Sequence, residues 1–187
     1  GQPTLYRAMQ WSIEELSEEH QYLLFDLSIF PQAFTVDMVH GIVNNGWSHI
    51  ACLEMLEVLA QQQLVLRTLV GREVQYSLLT SVREFAEQQI RDERRSDLLQ
   101  RHANYFAAQI SMRPIVQMWE SEDWIWLAEH TEHCVMAARY GDSIAAKTCS
   151  APILNSLLQR GPWQRANELI TQLTSRSTVD ASVVDYW

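Results

Sequence analysis

The residues best suited to chemistry stand together in the last third of the chain. His130, His133 and Cys134 lie beside Glu129 and Glu132. A histidine pair at i and i+3 shares one helix face and can hold a metal ion there. A His-Glu-x-x-His run, which would add a general base between two ligands, does not occur, and no second ligand cluster is evident. The spacing therefore predicts a solvated helix face with a buried Cys134 rather than a metal centre. His102 precedes Tyr105 and Phe106, but general-base catalysis needs a nucleophile beside it. No Gly-x-Ser-x-Gly run or similar context supplies one, so His102 reads as a packing residue. A Gly-x-x-x-x-Gly-Lys-Ser/Thr loop, whose backbone would cradle phosphates, is also missing. The expectation is a segment with no catalytic residue, no metal site and no cofactor of its own.

Composition narrows the classes further. The 187 residues are 47% hydrophobic and 20% charged, which suits a folded chain. Six glycines and five prolines leave room for long uninterrupted helices. The net charge is −9. Affinity for DNA and for anionic lipid comes largely from Lys and Arg, so both are disfavoured as partners. The three cysteines, Cys52, Cys134 and Cys149, cannot all pair and lack a Cys-x-x-Cys spacing, as reduced thiols of a cytosolic protein would. No apolar stretch reaches the roughly 18 residues that span a bilayer, and no signal peptide opens the chain.

The elements that would position these residues are mostly helical. Apolar spacing predicts helices over residues 4–16, then from Ser17 to Phe30 ahead of Pro31, then from Thr35 to Val43. Asn44-Asn45-Gly46 is a turn. Ser48 opens a fourth helix with Ile50, Leu53, Leu56, Val58 and Leu59 as its apolar face. Two strands follow, Leu64–Thr68 and Glu73–Leu78, joined at Gly71-Arg72 as a hairpin. Thr80 or Ser81 caps a helix to about Asp92. The mixed charges of residues 91–95 read as a solvated break, and a long helix runs from Ser96 to about Met112. Arg113-Pro114 marks a domain boundary. Further helices are expected over residues 121–140, 143–160 (with Pro152 inside) and 163–175. Several short helices and then a hairpin is the order of a winged helix, with the hairpin as its wing.

Two stretches carry a family likeness. Thr4-Leu5-Tyr6-Arg7-Ala8-Met9-Gln10-Trp11-Ser12 leads to Leu16-Ser17, Leu27-Ser28-Ile29-Phe30 and Phe34-Thr35. Tyr76-Ser77-Leu78-Leu79-Thr80-Ser81-Val82-Arg83-Glu84-Phe85-Ala86 leads to Arg101-His102-Ala103-Asn104-Tyr105-Phe106. Over about residues 4–110 the chain resembles the winged-helix segment that follows the nucleotide-binding core of bacterial STAND (NB-ARC-like) signalling ATPases. Leu158-x-x-Gly161-x-Trp163-x-x-Ala166-x-x-x-Ile170-x-x-Leu173 is similar to part of a tetratricopeptide repeat, whose Gly sits in a tight turn and whose Ala lets helices approach. Stable arrays need about three such units, so a solenoid continuing past this chain is expected. The resemblance implies a winged helix that packs on the core of the same protein, repeats that meet a partner or effector, and ATP or ADP held in that core. Some members place a nucleotide-touching histidine where this chain has Leu79, which weakens the case for direct nucleotide sensing here.

The expected architecture is mostly α: a winged-helix-like domain with a β-hairpin wing over residues 1–95, a connecting long helix over 96–113, and antiparallel TPR-like helical hairpins over 114–187. A DNA-reading winged helix would carry Arg, Lys, Asn or Gln on its recognition helix. The corresponding run from Trp47 to Gln63 carries Glu54, Glu57 and no Lys or Arg, and its three glutamines fall at the far end. The wing offers Arg67 and Arg72, opposed by Glu73. A non-catalytic, cytoplasmic protein-contact role is therefore expected, with DNA binding as the alternative. Trp11, Leu79, Arg83, Trp163 and Ala166 are expected to be structural, with Arg83 a candidate to pair with an acid of the core. Trp119, Trp124 and Trp126 cluster, and Trp124 and Trp126 cannot share a helix face. One of that pair belongs in the core, and the other is a candidate for a partner or domain interface.

Overall fold

The computed structural model describes residues 2–43, 45–161 and 170–171. These residues are mostly helical, with one two-stranded antiparallel sheet among them. The chain divides into two compact units, Gly1–Arg101 and His102–Trp187.

In the first unit, α1 (Gln2–Glu14), α2 (Glu18–Asp26) and a 3₁₀ turn (Leu27–Ile29) precede α3 (Val36–Ile42) and α4 (His49–Gln61). Side-chain oxygens set three of these starts. Ser17 accepts from His20 N, Thr35 from Met38 N and Ser48 from Ala51 N, each filling an orphan donor of the first turn. Helix α4 stops in a tight reversal. Gln63 adopts φ 58°, Gln63 N donates to Ala60 O and Leu64 N to Leu59 O, while buried Leu64 seals the end. The chain then forms β1 (Val65–Val70) and β2 (Glu73–Leu78), paired from Val65↔Leu78 to Val70↔Glu73 about Gly71, whose φ is 62°. A third strand is reduced to one residue: Phe34 and Tyr76 exchange both backbone hydrogen bonds at 2.8 Å. Helix, bridge, helix, helix, hairpin is the element order of a winged helix. Its core gathers Leu23, Leu24, Leu27, Phe30, Phe34, Leu56, Leu59 and Tyr76.

Helix α5 (Thr80–Gln89) follows the wing, with Leu79 rather than Thr80 or Ser81 at its cap position and no side-chain cap bond. The charged run does mark a break, at Ile90–Arg91, and all of it but Arg94 is exposed. Helix α6 (Asp92–Ser111) begins at Asp92, and Arg94 turns inward onto Asp26, which is 5% exposed. Trp11, expected to be structural, is 72% exposed, while Ile13 two residues on is buried.

The second unit holds the rest of α6, a 3₁₀ turn (Val116–Met118), α7 (Ser121–Glu129), α8 (Thr131–Tyr140) and α9 (Ser143–Arg160). The single helix expected over 121–140 is two. Thr131 Oγ1 donates to Leu127 O, and the His130 ring bonds Trp126 O, so side chains occupy the last carbonyls of α7. Helix α9 packs back on α8 after a two-residue turn in which Asp142 accepts from Ala145 N at 2.8 Å. It runs through buried Pro152 and ends at Gly161, whose φ is 69°. Gly141 is held by contact rather than by torsion. A Cβ there would lie 2.7 Å from Ala137 O and 2.9 Å from the methyls of Ala103 and Ala145. Gly141→Ala should therefore destabilise this unit by about 1–3 kcal/mol through overpacking, read as a lowered melting temperature. An unchanged melt would show that the α6, α8 and α9 contacts yield freely. Trp163 and Ala166 lie outside the described residues.

Candidate functional site

The winged helix places its candidate surface on α4 and the wing. Both sides of α4 carry apolar residues, so its sequence period is ambiguous. Cys52, Met55, Leu56 and Leu59 are the buried face. Ile50 (66% exposed) and Leu53 (38%), expected in the core, face solvent with Glu54.

Glu57 fixes the wing against this helix. Its Oε1 accepts from Arg67 Nε at 3.0 Å and from the Tyr76 hydroxyl at 2.6 Å. Burial, reinforced by the Glu57 hydrogen bond and charge, pushes the Tyr76 phenol up to about 12, so it stays a donor. Strand β1 packs against α4, and the Arg67–Glu57 bond ties the two together. Leu69 lies two residues beyond Arg67 on the same side of the strand. Leu69 is 64% exposed. The result is an apolar face of Ile50, Leu53 and Leu69 with Glu54 among them.

The three arginines singled out from the sequence have separate fates. Arg67 is neutralised by Glu57. Arg72 is exposed at the hairpin tip beside Glu73. Arg83 turns inside the unit: its Nη1 donates to Ser28 O at 3.2 Å and to Phe30 O, and burial lowers its pKa. It ties α5 to the 3₁₀ turn through two carbonyls.

In the second unit the tryptophans pack on one another and on their neighbours. Trp119 is buried and donates Nε1–H to Pro114 O at 2.9 Å, with Trp124 edge-on at 5.0 Å. The Arg113 guanidinium lies 3.7 Å over the Trp126 ring, on which His130 stacks at 4.6 Å. Trp124 and Trp126 are both half-buried, and the exposed apolar residue between them is Ile125.

The histidine-rich run is not a solvated face. His133 is fully buried, as is His102 of α6, and His133 Nδ1 lies 3.0 Å from His102 Nε2. One imidazole must donate the shared proton and the other accept it. Phe106 stacks on His133 at 4.8 Å. A carbonyl only accepts, so His130 Nδ1 carries its proton toward Trp126 O, at 2.8 Å. Among the described residues no three His, Cys, Asp or Glu side chains converge as metal ligands would. The cysteines are all buried; burial raises the Cys52 and Cys134 thiols and pushes Cys149 up to about 12, so they remain protonated thiols rather than nucleophilic thiolates. Sequence reasoning linked neither histidine to the other, because their pairing across 31 residues leaves no local pattern. No helix among the described residues is long and apolar enough to cross a membrane. Compared with protein-family models and with curated proteins, the sequence matches none.

Proposed function

We propose that this chain is a non-catalytic protein-contact module: a regulatory segment of a larger STAND-type signalling protein. In this reading the winged helix packs on a nucleotide-binding core outside these residues, which holds ATP or ADP. The C-terminal helices begin a surface for a second protein. One observation carries the protein-contact reading: the solvent face of α4, where a DNA reader needs cations, presents Ile50, Leu53 and Glu54. Arg67, the wing cation nearest that helix, is already held by Glu57. The STAND assignment is supported by the quoted sequence motifs and by the helix, bridge, helix, helix, hairpin order.

DNA binding is the second reading, favoured by that same element order. Fluorescence anisotropy of a labelled duplex, titrated with the 187-residue chain at two salt concentrations, separates the two. The expected result is no binding even at low salt. Binding that weakens steeply with salt, the mark of counterion release from neutralised phosphates, would overturn the protein-contact reading. Arg67 and Arg72 would then be the first residues to replace.

A further inference from the structure

We infer that the face formed by Ile50, Leu53, Glu54 and Leu69 docks an amphipathic helix that brings leucine-like side chains and a flanking lysine or arginine. This rests on the protein-contact reading above and specifies the chemistry of the partner.

The face has two properties that select its occupant. Its exposed apolar side chains come from a helix and from the adjacent strand, which the Arg67–Glu57 bond ties together. A helix laid along α4 can meet Ile50 and Leu53, one turn apart, and Leu69 beside them. Charge is the second property. The acids of α4 are Glu54 and Glu57, and Glu57 is occupied by Arg67 and Tyr76. Glu54 is exposed, and among the described residues it has no ion-pair partner. A docked helix must therefore supply a cation at Glu54 or leave that carboxylate stranded at a closing apolar interface.

The same charge argues against other occupants. A second copy of this chain meeting the face about a two-fold axis would bring a second Glu54 and no free cation of α4 to the interface, between molecules of net charge −9. An acidic helix would face the same repulsion. A lysine-flanked helix gains both the apolar contact and the ion pair.

The test uses the 187-residue chain and three labelled synthetic peptides: an amphipathic Leu/Lys helix, its Leu/Glu counterpart and an oligolysine of equal charge. Saturable binding of the Leu/Lys helix alone is expected, because oligolysine lacks the apolar face. Ile50→Glu and Leu69→Glu, both at exposed positions, should each weaken it at least tenfold while leaving the far-ultraviolet circular dichroism unchanged. Glu54→Lys should lose the Leu/Lys helix and gain the Leu/Glu helix. Binding of the Leu/Lys helix equally by parent and variants would overturn the inference, as would binding of none of the peptides. Preference for the Leu/Glu helix would overturn the basic partner and leave the protein-contact reading standing. Salt-sensitive binding of duplex DNA lost on replacing Arg67 and Arg72 would overturn that reading itself.

Discussion

Arg94→Ala should lower the stability of the first unit by about 3 kcal/mol, the scale of breaking a buried ion pair from one side. Asp26 is 5% exposed at the end of α2, and Arg94 Nε reaches both of its carboxylate oxygens at 3.2 Å. The same guanidinium donates to Val43 O at 3.3 Å and to Asn45 Oδ1 at 2.7 Å. One side chain thus closes the end of α2, the turn after α3 and the first turn of α6. Removing it leaves a carboxylate out of water with its principal cation gone. The Asp26 hydrogen bond raises the Arg94 pKa, so the guanidinium is charged at any pH the fold survives. The Arg94 side chain keeps 28% of its exposure, which is why the low end of the buried-pair range applies. Amide hydrogen exchange in α2 and α3 measures the loss directly. The double variant Asp26→Ala, Arg94→Ala should cost clearly less than the two single changes added, since it removes the stranded charge as well. Additive costs would mean that the pair is a surface contact.

That ion pair also shows where sequence reading stops. Its partners stand 68 residues apart, and the five charges of residues 91–95 look alike without the fold that turns one inward. What is local was legible. Ser17, Thr35 and Ser48 announce helix starts because their oxygens cap in place. Gly71 announces the hairpin because φ near 60° suits it. The one-residue strand at Phe34 was not legible, because a single bridge to Tyr76 has no period. The break at His130 was not legible either, because no Pro or Gly marks it; side chains capturing the carbonyls of Trp126 and Leu127 do the work.

The candidate surface was half legible. The missing cations of the Trp47–Gln63 run can be read from the sequence, and they set the argument against DNA. The orientation of α4 cannot, because Ile50 and Leu53 satisfy a helical period as well as Cys52, Met55 and Leu59 do. Packing chose the second set, and that choice puts aliphatic side chains in water. Arg83 illustrates the opposite outcome. It reads as a candidate for contact with another domain, yet the carbonyls of Ser28 and Phe30 hold it. An Arg83→Glu change would therefore report on the integrity of the winged helix before it reported on any partner.

Acid should loosen the second unit, and His102 sets the direction. It is fully buried, and burial first, then the proximity of His133, holds its pKa well below the usual 6.5. In the folded chain the imidazole stays neutral; in the unfolded chain it titrates normally. The stabilising difference is complete above about pH 6.5 and declines below it, because only the unfolded chain then takes up the proton. The slope reaches about 1.4 kcal/mol per pH unit in that window and ends once the folded imidazole also protonates. Few groups of this unit can offset the charge: Asp123 is paired with Arg113, the Cys134 and Cys149 thiols are neutral, and Glu129 and Glu132 are exposed. Urea midpoints of the chain between pH 5 and 7.5, followed by exchange of α8 amides, should fall on the acid side. His102→Gln keeps a hydrogen-bonding group at the reach of the ring and cannot titrate, so its midpoint should vary much less with pH. A parent profile as flat as the variant's would mean that the 3.0 Å imidazole contact accepts a proton without loss. The pair would then be a charged element of the fold rather than a neutral one.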